Sequence, residues 1–283
     1  MLTAAGLIGI VEIILGKNYK YFFFQETMHF CLKHLFIYKN IIYMNRITTL
    51  NENVFNEIND EKSAYFLGLI YADGNLSKDK DWDSWKLSLC QSEKDLDIII
   101  KFKNFLKTNK KIYESTYKEK KYYLISINSK SICLNLKKHG VDENKSLILE
   151  FPTFIDDTLM PHFIRGYFDG DGSVWEGKRK KMTVKKENKP GETRERIIHN
   201  VKFNFTGSNT FIPYLQEYLI EHAGLTKTKL NYSKSKEEHK HCSMEYSGRK
   251  NMKKLYEYMY SSATIYGKRK KIKFENIIKN EKN

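Results

Sequence analysis

Two nine-residue segments constrain this chain more than anything else in it. They are Phe66-Leu67-Gly68-Leu69-Ile70-Tyr71-Ala72-Asp73-Gly74 and Ile164-Arg165-Gly166-Tyr167-Phe168-Asp169-Gly170-Asp171-Gly172. Each is an apolar run with glycine at its third place, closing on Asp-Gly. In the first copy Phe66, Leu69 and Ile70 follow three- and four-residue spacing, which predicts helix rather than strand. Gly68 with Ala72, and Gly166 with Gly170, put small groups on one helical face. Glycine inside a helix costs about 1 kcal/mol relative to alanine. The pattern therefore predicts two helices that cross almost backbone to backbone, the crossing offsetting that cost. Gly74 and Gly172 are expected to end the helices in the left-handed conformation.

Asp73 and Asp171 then fall at the C-terminal ends of two helices packed side by side. The helix dipole disfavours a carboxylate there, and two close carboxylates repel each other. A divalent cation relieves both costs. Mg²⁺ takes one or two carboxylates together with waters and phosphate oxygens. Two such ions can clamp the attacking and leaving oxygens of an in-line phosphoryl displacement. A single apolar helix ending in Asp-Gly would imply only a capped helix; repetition with matching glycines carries the chemical reading. A calcium loop over Asp169-Gly170-Asp171 is excluded, because Val174 and Lys180 stand where it needs Gly and Glu.

The two segments resemble the signature of the LAGLIDADG homing endonucleases, in the single-chain form with two motif copies. The resemblance extends over roughly residues 50 to 278. It takes in the lead-in Asn51-Glu52 to Asp60-Glu61-Lys62 and the link Asn144-Lys145-Ser146-Leu147-Ile148-Leu149-Glu150-Phe151-Pro152. It also takes in the closing Ala263-Thr264-Ile265-Tyr266 with Lys268-Arg269-Lys270-Lys271. Tyr71 departs from the usual first acid of the motif, and Arg165 from a small residue.

The resemblance implies a Mg²⁺-dependent endonuclease, monomeric and pseudo-dimeric. It would cut both strands of a long, largely asymmetric DNA site, leave cohesive 3′ ends and mobilise its host intron. Asp73 and Asp171 match the family's metal-binding carboxylates, with two or three ions shared between them; Asp169 matches the acid that is not a ligand. Gln91 matches a polar residue that helps place the attacking water or the metal shell. Its counterpart falls on Gly207, so the role is asymmetric or Ser208 substitutes. Lys145 and Lys268 resemble the family's basic residue near the scissile phosphate. An RNA-binding maturase acting on the host intron, and a DNA-binding regulator without chemistry, are the rival readings on the same fold.

Downstream of Gly74 the chain reads as strand, turn (Asp79 to Asp83), strand (Trp85 to Gln91), helix (Glu93 to Leu106), hairpin around Lys118-Glu119-Lys120, and helix (Ser131 to His139). The second half repeats this order, with a long basic loop expected from Gly177 to Gly191, a strand at Val201 to Thr206, and further strands near Thr226–Ser233 and His241–Ser247. This predicts an α+β fold: two pseudo-symmetric αββαββα halves, residues 44–158 and 159–283, with antiparallel rather than parallel sheets. In the family the sheets form one DNA-binding saddle.

The net charge of +15 implies a polyanionic partner. Alternation sharpens this: Val201, Phe203 and Phe205 alternate with Lys202, Asn204 and Thr206, and Leu87 and Leu89 with Lys86 and Ser88. Lys227, Lys229 and Asn231 are expected to share a face. Such polar faces suit the major groove. The four cysteines lack paired metal-site spacing and read as free thiols in a reduced compartment. A zinc site at His239, His241 and Cys242 lacks a second pair.

Residues 1–43 fall outside the repeat. Ala4 to Gly16 is apolar but short for a bilayer, and Glu12 interrupts it. A fused upstream exon or read-through, with Met44 the start of the working protein, is the preferred reading over a membrane anchor. Residue usage with A/T-heavy codons suits an organellar genome, mitochondrial or plastid; a low-GC virus or bacterium would look similar.

Overall fold

The first helix, α1 (Glu61–Asp73), begins at a reciprocal cap. The Asp60 carboxylate accepts the Ser63 N–H at 2.7 Å, and Ser63 Oγ accepts the Asp60 N–H at 3.3 Å. Every residue from Ser63 to Tyr71 is buried. A helix that is buried all round needs partners on several sides, and one of them is its repeat, α4 (Met160–Asp171), whose Pro161 lies in the first turn where no N–H is needed. This is a computed structural model that describes residues 49–79, 83–145, 148–184, 193–233 and 241–279, with the backbone alone for 179–184 and 193–199. A compact unit begins at Leu50; the expected extension 1–43 lies outside the described residues. None of the described helices is long and apolar enough to cross a membrane.

The crossing of α1 and α4 is as close as the glycines predict. A Cβ on Gly68 would lie 2.0 Å from the Phe163 carbonyl oxygen, and one on Gly166 would lie 1.9 Å from that of Tyr65. The contact is reciprocal, so both positions must lack a side chain. Gly74 and Gly172 are a correction. They have φ −70° and −83° with extended ψ, not the left-handed conformation. Glycine is needed there for space: a Cβ would meet Ile70 Cγ2 at 2.6 Å and the Phe168 ring at 2.2 Å.

From Gly74 the first half builds β1 (Gly74–Lys78), β2 (Trp85–Ser92), α2 (Leu96–Phe105), β3 (Tyr113–Tyr117), β4 (Lys120–Asn128) and α3 (Lys130–Lys138). The second half follows α4 with β5 (Gly172–Val184), β6 (Thr193–Ser208), α5 (Ile212–Ala223), β7 (Leu230–Tyr232), β8 (His241–Ser247) and α6 (Arg249–Tyr260), then closes with α7 (Lys268–Lys279). Both sheets are antiparallel and four-stranded, ordered β1-β2-β4-β3 and β5-β6-β8-β7. The α+β architecture of two αββαββα halves is therefore present. Gly74 pairs with Leu89 and Gly172 with Phe205. That match equates Lys86 with Lys202, Ser88 with Asn204, and Gln91 with Gly207.

The expected basic loop at Gly177 to Gly191 is a second correction. Strand β5 runs on to Val184, β6 resumes at Thr193, and the two stay in register from Gly172–Phe205 to Val184–Thr193. Backbone pairing needs no apolar alternation, so a charged stretch can extend a hairpin. Lys227 and Lys229 precede β7 rather than lie within it.

The halves are also tied by a buried charged cluster. Arg165 is fully buried and donates to the Glu61 carboxylate at 2.7 Å, to Met259 O at 2.6 Å and to Ile265 O at 2.8 Å. Glu61 accepts the backbone N–H groups of Thr264 and Ile265 at 2.7 and 3.0 Å. The unexpected arginine of the second motif thus joins α1, α4 and the turn before α7.

Candidate active site at the paired helix ends

Because α1 and α4 cross at their glycines, Asp73 and Asp171 emerge together. A Cβ on Gly170 would touch Asp73 Oδ2 at 3.0 Å and the Ala72 methyl at 2.3 Å. Burial raises the Asp73 carboxyl above its ordinary range, against the lowering effects of its hydrogen bond from Gln91 and of Lys270 and Lys145. Asp171 is pushed up to about 6, first by burial and then by Asp73, with both lysines opposing. Its side chain still reaches solvent, so water moderates the effect. Each carboxyl is thus easier to protonate than a solvent-exposed one, and a cation beside it would offset the cost of burial.

The polar residues around them differ between halves. Gln91 Nε2 donates to Asp73 Oδ2 at 2.7 Å. At the matching place in the second half, Gly207 leaves room that the Tyr167 hydroxyl takes; this hydroxyl donates to Thr206 O at 2.7 Å. Ser208 does not substitute. Its hydroxyl donates to Leu149 O and lies 3.1 Å from Thr210 Oγ1, turned away from Asp171 into the link between halves.

Lys145 is buried, and its Nζ donates to Ala72 O at 2.9 Å, at the end of α1. Lys268 is a correction of register. It is exposed, with its backbone N–H towards Asp97 Oδ2 at 3.4 Å. The buried ammonium that matches Lys145 belongs to Lys270, which donates to Phe168 O, Asp169 O and Gly170 O at 2.7, 2.7 and 2.9 Å. A sequence signal for it exists: Lys270, Phe274 and Ile277 form the buried stripe of α7 at helical spacing. A lysine heading an apolar stripe is the inward one. Asp169, fully buried, accepts the Tyr65 hydroxyl at 2.8 Å and the Gly267 N–H at 2.6 Å. That is an anchoring place between helices, away from the open end of the pair.

No protein-family model matches the chain, and no curated protein matches it. Solved structures do. The chain aligns with the I-LtrWI LAGLIDADG homing endonuclease bound to target DNA at a TM-score of 0.52 and 13% identity, over 82% of this chain and 92% of that one. It aligns with the LAGLIDADG meganuclease I-CpaMI bound to uncleaved DNA at 0.50 and 11%, over 80% and 92%. This is the LAGLIDADG homing-endonuclease fold.

On the sheets of this LAGLIDADG fold, the expected alternation is present. Leu87, Leu89, Val201, Phe203 and Phe205 are buried, while Lys86, Ser88, Lys202, Asn204 and Thr206 point the other way, exposed or half-buried. Ser88 Oγ lies 3.0 Å from Ser126 Oγ, Asn204 Oδ1 accepts from Ser173 at 2.7 Å, and Lys202 pairs with Glu245 at 2.6 Å. Lys229 and Asn231 are exposed, whereas Lys227 pairs with Glu217 of α5 at 2.5 Å. The expected hairpin around Lys118-Glu119-Lys120 is the β3–β4 pair; all five residues of β3 are exposed, and Tyr113 and Tyr117 there lie under the ammonium groups of Lys111 and Lys118. Among the described residues, no three His, Cys, Asp or Glu side chains gather as a metal cage. His239 lies outside the described residues. Cys133 and Cys242 are buried and Cys90 exposed, all three free; burial pushes the Cys133 thiol up to about 12.

Proposed function

We propose that this chain is a divalent-metal-dependent, site-specific double-strand DNA endonuclease that promotes mobility of its host intron. The observation that carries the reading is the meeting of Asp73 and Asp171 at the ends of two crossing helices, one from each half, next to two polar sheet faces. The DNA-bound homing endonucleases that share the fold support it.

The donor set fits Mg²⁺. Two hard carboxylate oxygen donors, raised in pKa by burial, suit an ion that completes its shell with water and phosphate oxygens rather than a protein cage. When bound, the metal supplies Lewis-acid stabilisation of the phosphoryl oxygens and a more acidic water. Asp73 and Asp171 would hold it. Gln91 orients Asp73, and Lys145 can neutralise charge that develops on the phosphate. In each hydrolysis a water oxygen bonds to phosphorus, one P–O ester bond breaks, and the leaving oxygen takes up a proton as a hydroxyl. Lys86, Ser88, Lys202, Asn204 and Thr206 present donors and acceptors to base edges, and the positive net charge attracts the backbone. A monomer suffices, since both halves lie in one chain. The residue usage suits an organellar setting, as it would a low-GC virus or bacterium.

The test is cleavage of DNA spanning the intron-free junction of the host gene, in Mg²⁺ and in Ca²⁺. Cutting of both strands in Mg²⁺ alone is the expected result. Tight DNA binding without cutting would support a regulator; preferential binding of the intron transcript would support a maturase.

A further inference from the structure

Ser77 follows Gly74 by three residues, and Trp175 follows Gly172 by three. The two places match, and each lies opposite a lysine, Lys86 in one sheet and Lys202 in the other. Trp175 is 47% exposed, on the polar face that it shares with Ser173, Lys202 and Asn204. A single exposed ring implies little. The glycine against which it lies implies more. A Cβ on Gly177 would meet the indole at 2.2 Å, so the ring keeps its place only because Gly177 has no side chain. Glycine inside a strand weakens it, and often marks a spot where a ligand comes close. An exposed ring and a strand glycine are both unfavourable for the chain alone. Both become favourable when a partner covers the ring.

The neighbours fix the chemistry of that partner. An open hollow of about 670 Å³ beside the ring is lined by Lys178, Asn200, Lys202 and Glu245. Lys202 gives one N–H to Glu245 at 2.6 Å, and an ammonium has two more. An apolar ring beside a cationic donor matches thymine, which presents its 5-methyl group next to the O4 acceptor in the major groove. Cytosine has an amino donor in that place and no methyl. In the first half Ser77, Ser88 and Ser126 share the corresponding face, and the Ser88 and Ser126 hydroxyls lie 3.0 Å apart. Serine hydroxyls both donate and accept, so they suit several bases.

We infer that Trp175, held by Gly177 and flanked by Lys202, reads a thymine in the DNA half-site under β5–β8 by packing on its 5-methyl group. The inference rests on the DNA-binding part of the proposed function, not on the chemistry at the carboxylates. The half-site under β1–β4 is then read less strictly, since Ser77 offers no such contact.

The experiment measures affinity of the full chain, in Ca²⁺, for a duplex spanning the intron-free junction of the host gene. Thymines are replaced by deoxyuridine one at a time, which removes the methyl and keeps every hydrogen-bonding group. One replacement, in one half-site, is expected to weaken binding by the parent about fourfold. Trp175→Ser should melt within about 2 °C of the parent, bind the unmodified duplex at least about fourfold more weakly and ignore that replacement. Gly177→Ala should melt no lower than the parent, yet its response should fall below about twofold because the ring is displaced. A parent that responds to no replacement would overturn the inference. So would a Trp175→Ser protein that responds as the parent does. A parent that binds the junction no better than an unrelated duplex would refute the site-specific DNA reading itself. Binding without cutting would refute only the chemistry, and the same affinities would still decide the thymine contact.

Discussion

At the crossing the two halves are near copies; around the carboxylates they are not. Gly68 and Gly166 meet each other's backbone at 2.0 and 1.9 Å, whereas Asp73 has Gln91 and Asp171 has Gly207 at the matching place. A backbone contact that admits no Cβ tolerates no drift. Side chains beside a carboxylate can diverge, provided that each centre still presents its acid. The duplication is thus held rigidly where the halves touch and loosely around the carboxylates.

The sharpest way to break that comparison is Gly68→Ala or Gly166→Ala. Each places a methyl inside a carbonyl contact, and a loss above about 5 kcal/mol is expected, read as absence of a cooperative melt. Next in size are Asp73→Asn and Asp171→Asn. Each should lower cutting by at least about 10³-fold, a loss of the order seen when a preorganised electrostatic contact is removed, with DNA binding in Ca²⁺ retained. Unimpaired cutting by either would remove that acid from the site. Gly170→Ala is milder, because the clash is with the Ala72 methyl at 2.3 Å rather than with backbone. It should cost about 1–3 kcal/mol by overpacking, and the double change with Ala72→Gly should recover most of it, since the methyl only changes helices.

Gln91→Ala should slow one strand by about tenfold to a hundredfold and leave the other nearly untouched; equal slowing of both would mean that Gln91 serves a shared centre. The smallest effect is on pH. Folding lifts Asp171 to about 6 from an ordinary value near 4, so the folded chain holds a proton that the unfolded chain has released. The stabilisation is full below about pH 4 and is lost as pH rises through about 6. Metal-free protein should therefore melt lower at pH 7 than at pH 5. Asp169, also lifted to about 6 by burial, contributes in the same window. Asp171→Asn should shrink the slope without abolishing it, and added Mg²⁺ should reverse it.

The helix pair and the antiparallel sheets were legible from local spacing, and the equivalence of Gln91 with Gly207 from the family resemblance. What escaped depended on tertiary neighbours. The conformations of Gly74 and Gly172 answer to the side chains of Ile70 and Phe168, not to a turn type. Ser208 is polar in the right place but bonds to Leu149 O across the link. Lys270 was hidden among four consecutive basic residues, and only the stripe it shares with Phe274 and Ile277 separates it from Lys268. The β5–β6 hairpin was misread because a basic stretch looks solvated whether or not its backbone is paired.

The cluster around Arg165 has a consequence in time. Glu61 hydrogen-bonds to Thr264, 203 residues further along the chain. At synthesis rates of 5–20 residues per second, Glu61 waits about 10–40 s after emerging before that partner exists. For about the second half of that interval Arg165, made 104 residues after Glu61, still lacks its acceptors at Met259 and Ile265. Residues 259–265, made after both motifs, therefore complete the joint between the halves. A transcript or protein cut short before Met259 leaves a buried arginine without two of its backbone acceptors, held by Glu61, His162 and the Tyr65 ring. Such a product should be cleared by proteolysis rather than accumulate.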